Sequence, residues 1–253
     1  MRSTLSYIAS VVVGVLYGLV AGGLGVAQDN NVKVDPSGTW RWEYDLDGTT
    51  FKDTLRLNVE AAEKGAKESP LKGTYESSSG RKLEIENGKV DGSKITFQFK
   101  IMYQGMDVKL EFEGSVKGDS LTGNVHASTS EGSRDLPWTA TRSVQPEDVV
   151  GTWKMRIDAG ANVLEPEIVI SKEGEKLKGK YKSGTEIELD GIEVKVEKNE
   201  LKFLIDTSYQ GTKIKADYRG RPYGNKVRGT IDYDLGGNAG TIDFSGARSV
   251  GSK

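Results

Sequence analysis

The residues able to do chemistry are few in this 253-residue chain. There is one histidine, His126, and no cysteine. Without a thiolate or a second imidazole, the usual zinc ligand sets and histidine relays have no material to work with. His126 follows Val125 in a run where Leu121, Gly123, Val125 and Ala127 share one phase, so its ring is expected to point outward. Asp45-Leu46-Asp47-Gly48 has the opening spacing of a calcium loop. The later oxygen ligands and terminal glutamate that such a loop needs do not follow, so the segment reads as a hairpin turn. Glu111 and Glu113 alternate with Val108, Leu110 and Phe112, which puts both carboxylates on the solvent side. Glycoside hydrolysis would need two carboxylates facing each other across a cleft. What remains is aromatic: Trp42, Tyr44, Phe97, Phe99, Tyr103, Phe112 and Trp138 all sit in the apolar phase. These seven either line a cavity for a small apolar or aromatic ligand or fill a core. No catalytic residue, metal ligand or cofactor is expected.

The elements that must position these side chains are strands. Trp40, Trp42 and Tyr44 alternate with Arg41, Glu43 and Asp45, and Leu55, Leu57 and Val59 alternate with Arg56 and Asn58. Ile95, Phe97, Phe99, Ile101 and Tyr103 alternate with Thr96, Gln98 and Lys100. This period of two is that of half-buried strands. Asp47-Gly48, Asn87-Gly88 and Asp91-Gly92 are dipeptides of the hairpin type, and 32 glycines against 6 prolines fit many tight turns.

The pattern occurs twice. Tyr103-Gln104-Gly105 returns as Tyr209-Gln210-Gly211, Gly73-Thr74-Tyr75 as Gly179-Lys180-Tyr181, and Arg142-Ser143 as Arg248-Ser249, all at an offset of 106. Gly38-Thr39-Trp40 returns as Gly151-Thr152-Trp153 at an offset of 113, which places a seven-residue insertion in the first copy, in the polar stretch Ala61 to Pro70. The domain reading is therefore a first repeat over 36–143, a second over 149–249, and Val144-Gln145-Pro146-Glu147-Asp148 as linker. About eight strands per copy, joined mostly by hairpins, predict an all-β chain of two tandem antiparallel up-and-down barrels, with β-sandwiches as the alternative.

A Gly-x-Trp at the start of the first strand with an arginine at the end of the last resembles the calycin pattern of lipocalin, fatty-acid-binding and avidin-type barrels. The pairs here are Trp40 with Arg142 and Trp153 with Arg248. The resemblance implies that each arginine packs across its tryptophan and helps close one end of a barrel, a structural role. The copies are also similar to uncharacterised barrel repeats of exported bacterial proteins, including those appended to secreted hydrolases, which often end in a strand like Thr139-Ala140-Thr141-Arg142.

Met1-Arg2-Ser3 is followed by a charge-free run from Leu5 to Val26 that ends Gly25-Val26-Ala27. This predicts a signal peptide over 1–27, with an uncleaved membrane anchor as the alternative. A periplasmic or extracellular location follows. Residues 28–148 hold 16 basic and 21 acidic groups, a net of −5, and residues 149–249 hold 17 and 16, a net of +1. With no basic excess, nucleic acid is not an expected partner. The expected function is non-enzymatic binding, with a small apolar ligand held in a barrel interior. The alternatives are an accessory module that meets an envelope protein or glycan through its outer surface, and a hydrolase with carboxylates at a barrel mouth.

Overall fold

A computed structural model describes residues 34–249 apart from 47, 104 and 161; the signal-peptide reading of 1–27 lies outside the described residues. The chain divides into two compact units, with the division between Val144 and Gln145.

The first unit consists of β1 (Gly38–Leu46), β2 (Thr49–Val59), β3 (Ser69–Glu76), β4 (Lys82–Glu84), β5 (Glu86–Asp91), β6 (Lys94–Tyr103), β7 (Met106–Lys117), β8 (Ser120–Thr129) and β9 (Gly132–Arg142). All ladders are antiparallel. The strands follow one another as a meander, and β1 pairs with both β2 and β9, which closes the sheet. β4 and β5 both pair with β3 and form one strand interrupted at Ile85, so the ring has eight strands. The closing ladder is short, Trp40 with Arg142 and Arg41 with Thr141, so the seam is joined near the start of β1.

The second unit repeats this with β10 (Gly151–Asp158), β11 (Val163–Leu164), β12 (Glu167–Glu173), β13 (Lys176–Ser183), β14 (Ile187–Glu197), β15 (Glu200–Tyr209), β16 (Thr212–Tyr223), β17 (Lys226–Leu235) and β18 (Asn238–Ser249). β10 pairs with both β12 and β18 and closes a second eight-stranded ring. The two are antiparallel up-and-down barrels in tandem, as the sequence predicts; the sandwich alternative does not occur. The linker carries a 3-10 turn at Pro146–Val149.

The seven-residue offset has a definite place. The last β2–β3 contact, Glu60 with Pro70, leaves residues 61–69 between, nine in all; its counterpart Glu173 with Lys176 leaves only Gly174 and Glu175. Most other hairpins have two-residue turns. Lys198 and Asn199 (φ 52° and 65°) and Gln210 and Gly211 (φ 49° and 81°) are both left-handed pairs. Two successive positive φ values match the right-handed twist of the strands they join.

Asn87-Gly88 departs from its sequence reading. It lies inside β5, where the register against β6 shifts between Glu86 and Lys89. Asn87 has φ 53°. A left-handed residue next to glycine suits a bulge as well as a hairpin, and at Gly88 a Cβ would come within 2.0 Å of the Leu71 carbonyl oxygen. The second copy has a bulge in a different ladder, β13 with β14, where the register shifts between Gly179 and Tyr181 and Gly191 has φ 70°.

The core of the first barrel is an aromatic stack. Phe97 lies 4.6 Å from Phe112, Phe112 5.0 Å from Trp138, and Tyr75 4.5 Å from Phe99, centroid to centroid. Gly114 and Gly123 face each other across β7 and β8, and a Cβ at Gly123 would stand 1.9 Å from the Glu113 carbonyl oxygen. This close approach makes room for the Trp138 ring, which stands 3.3 Å from where a Gly114 Cβ would be. The second barrel has the same glycine pair at Gly220 and Gly229, with Phe244 over it. Its core is more aliphatic, with Met155, Ile157, Ile168, Ile170 and Ile205 around Phe203 and Tyr218.

Candidate functional site

Each barrel has one end clasped by an arginine. Trp40 is fully buried and its indole N–H donates to the Pro36 carbonyl at 2.9 Å. The Arg142 guanidinium carbon lies 4.3 Å from the Trp40 ring centroid. Arg142 also donates to the Ser37 carbonyl and, at 2.9 Å, to the Asp35 carbonyl, and its Nε lies 3.2 Å from Asp119. Gly38 has φ 136°, and a Cβ there would come within 2.4 Å of the guanidinium. The glycine of Gly-x-Trp is thus required twice, by the backbone angle and by the arginine passing over it. In the second barrel Arg248 lies 5.4 Å from the Trp153 centroid and donates to the Asp148 carbonyl at 2.7 Å. Asn225 replaces Asp119 and accepts from Arg248 at 2.8 Å, so this clasp has no ion pair at that point.

The opposite end of the first barrel is built differently. Of the seven aromatics singled out in the sequence, Phe97, Phe99, Phe112 and Trp138 are buried deep in the stack. Trp42 is half-buried above them, 5.7 Å from Trp138 and 6.1 Å from Tyr75. Tyr44 and Tyr103 stand at the rim, 41% and 42% exposed, and Tyr44 stacks on Phe51 at 5.3 Å. The apolar phase of β1 and β6 therefore runs from a filled interior to an aromatic rim.

Asp53 organises this rim. It lies on β2 opposite Trp42, on the inward face, and only 3% of it is exposed. Tyr75 Oη donates to its Oδ2 at 2.7 Å. The Ser78 backbone N–H and hydroxyl donate to Oδ1 at 3.1 and 3.2 Å. Tyr44 lies near the same carboxylate: burial, then the charge of Asp53 and hydrogen bonding toward it, push its pKa up to about 12. Burial and its own bond to Asp53 raise the Tyr75 hydroxyl further. A buried carboxylate held by neutral donors and walled by Trp42, Tyr44 and Tyr75 attracts a hydrogen-bond donor or a cation.

The sequence reading passed over Asp53. Its signal was present: extended back by two residues, the phase of Leu55 and Leu57 falls on Asp53. A carboxylate in an apolar phase is the exception that marks a polar site in a barrel interior. The second copy has Pro166 at this position, and its carbonyl accepts from Met155 N–H at 2.8 Å. There the buried hydroxyls of Tyr181 and Tyr218 bond to each other instead, at 2.9 Å.

The remaining candidates lie outside. His126 Nδ1 is 2.7 Å from Asp135 Oδ1 in an exposed pair. Glu111 is 2.7 Å from Lys109 Nζ, and Glu113 is exposed. Asp45 accepts from Thr50 Oγ1 at 2.6 Å beside the turn.

No protein-family model and no curated protein matches the chain. Among solved structures it is similar to a Bacteroides fragilis protein described as an outer membrane protein, at 12% identity and TM-score 0.30, covering 85% of this chain and 98% of that one. It is also similar to a mutant of transferrin binding protein B from Haemophilus parasuis, at 12% identity and TM-score 0.26, over 83% of this chain and 56% of that one. An intact transferrin binding protein B with N and C lobes gives 12% identity and TM-score 0.26, over 77% and 55%. The chain thus spans about half the length of the transferrin-binding chains.

Proposed function

We propose that this is an exported, non-enzymatic binding protein, and that its small-molecule site is the rim of the first barrel. The observation that carries this reading is Asp53: a buried carboxylate at the one end of the barrel that is not clasped, framed by aromatic faces. Below it the stacked rings occupy the interior, so a ligand sits across the rim and does not enter the barrel centre. The matching chemistry is a small apolar or aromatic body bearing an amine. Its body lies on Trp42 and Tyr44, and its donor reaches Asp53 from the Tyr44 side. The test is quenching of tryptophan fluorescence by phenethylamine. Saturable quenching is expected in the native chain, weakened at least tenfold in Asp53→Asn and lost in Trp42→Ala. Linear, unsaturable quenching, or equal binding by Asp53→Asn, overturns the reading.

A second reading, in which the protein meets an envelope glycan or protein through its outer surface, is favoured by the same filled interior. Side chains that pack on one another inside leave the outer faces as the larger recognition area.

A further inference from the structure

The outer face of the second barrel segregates charge in a way that the first does not. Strands β10, β18, β17 and β16 are neighbours, and their registers align two transverse rows. One row is Arg156, Ser245, Arg228, Arg221; the other is Lys154, Ala247, Lys226, Tyr223. All eight residues have the outward phase, alternating with the inward Met155, Val227, Phe244 and Pro222. Five cations therefore flank a floor of serine and alanine. The result is a groove of about 800 Å³ between the Lys154–Arg156 and Lys226–Arg228 columns. Same-face residues on a strand are about 6.6 Å apart and strands about 4.8 Å, so the two columns stand roughly 10 Å apart, with charges about 6.6 Å apart along each. Glu165 and Glu167 line one margin, with Glu165 3.5 Å from Arg156.

The first barrel is the internal comparison. At the positions of Lys154, Arg156, Arg221, Lys226 and Arg228 it has Arg41, Glu43, Ser115, Ser120 and Thr122. Even the ion pair at the margin is reversed: Arg156 with Glu165 in the second copy, Glu43 with Lys52 at 3.0 Å in the first. The scaffold does not require five cations here, since the same fold forms without them. They sit in a unit whose net charge is only +1, so they are concentrated on one face.

We propose that this groove binds an acidic polysaccharide, a chain bearing carboxylates. The inference builds on the outer-surface reading above. The four strands that carry the groove, β10, β18, β17 and β16, are each paired on both sides, so a peptide cannot add to an edge there, and recognition must run from side chains to anions. Arginines take carboxylates in paired hydrogen bonds. Ser245 and Tyr223 supply hydroxyls to a hydroxyl-rich chain. A single half-buried tyrosine does not make the succession of stacking faces that single-stranded nucleic acid uses.

The experiment measures binding of the full chain to polygalacturonate, with dextran, polyglutamate, a thymidine oligonucleotide and phosphatidylglycerol vesicles as competitors. Polygalacturonate is expected to bind, and to bind more weakly as salt rises. Lys226→Gln with Arg228→Gln is expected to weaken it at least tenfold. Lys213→Gln with Lys215→Gln, the same charge change far along β16, is expected to leave it within twofold. An unchanged thermal melt in both variants excludes unfolding as the cause, and Arg228→Lys supplies a second, milder reading if the double variant melts early. No binding, an equal loss in both double variants, or tighter binding to polyglutamate, oligonucleotide or vesicles overturns the proposal. Phenethylamine quenching on the same samples reports the first-barrel rim separately, so failure of one site leaves the other readable.

Discussion

At the scale of single residues, Asp53 separates the two copies more than any other position. A hydrogen bond to a charged group is worth about 1.5–3 kcal/mol, and a buried hydroxyl left without its partner costs a similar amount. Asp53→Asn keeps the shape but removes the charge, and should destabilise the first barrel by about 1–3 kcal/mol in urea denaturation. It should also bring the Tyr44 hydroxyl down from about 12 toward an ordinary phenol, read by ultraviolet titration of phenolate. The sign of the pH dependence follows from that raised value. Below pH 10 the phenol is protonated in folded and unfolded chains alike, and the contribution is complete. Between about pH 10 and 12 the unfolded chain ionises first, so stability falls as pH rises through this window. A Tyr44 titration that does not move in Asp53→Asn would contradict the influence of this carboxylate on the Tyr44 hydroxyl.

At the scale of elements, strand phase and repeat spacing were the legible parts. The alternation of Phe97, Phe99 and Tyr103 located β6, and the change of offset from 113 to 106 located the long β2–β3 connection. Replacing residues 61–68 by a single glycine, which keeps Ser69 in β3 and leaves the two-residue spacing of the second copy, should change stability by no more than about 1–2 kcal/mol, because loop closure depends only weakly on length. Denaturation midpoints of the two chains check this, and a loss above that range would mean that the loop packs on the barrel. Two features escaped the pattern for physical reasons. Asn87-Gly88 has the same local preference in a bulge as in a turn, and only the pairing of β5 with β3 and β6 decides between them. The basic rows of the second barrel depend on cross-strand register: Arg156 is far in sequence from Arg221 and Arg228 and joins their row only once β10, β18, β17 and β16 are aligned. Matching the copies by what they share also hid what they do not, namely Asp53 against Pro166 and Ser120 against Lys226.

At the scale of the whole molecule, each barrel has its own closed ladder, core and clasp. Calorimetry of the full chain should therefore resolve two transitions. Arg142→Ala removes a side chain that is 3% exposed and serves two carbonyls and Asp119. It should cost about 2–3 kcal/mol and lower one transition by roughly 10 °C or more, leaving the other in place. Arg248→Ala, at the more exposed clasp where Asn225 stands in place of Asp119, should shift the other transition by less. A single transition, or one that moves as a unit with either variant, would show that the barrels unfold together.

The short ladder between β1 and β9 carries a consequence for how the chain reaches this state. Most pairings are hairpins between sequence neighbours and can zip up locally, but closure joins distant groups: Arg142 and Ser37 are 105 residues apart, Arg248 and Asp148 100. Such contacts come at a high entropic cost and form late. In the first barrel the closing ladder is only Trp40 with Arg142 and Arg41 with Thr141. A nascent chain thus holds two open meanders whose first and last strands follow one pattern, and β1 meeting β18 in place of β9 is the natural kinetic trap. Asp119 and Asn225 lie beside the last strand of their own copy, so they hold each arginine in place before closure and leave the choice of first strand to the segments that the arginine then meets, around Ser37 in one copy and Asp148 in the other.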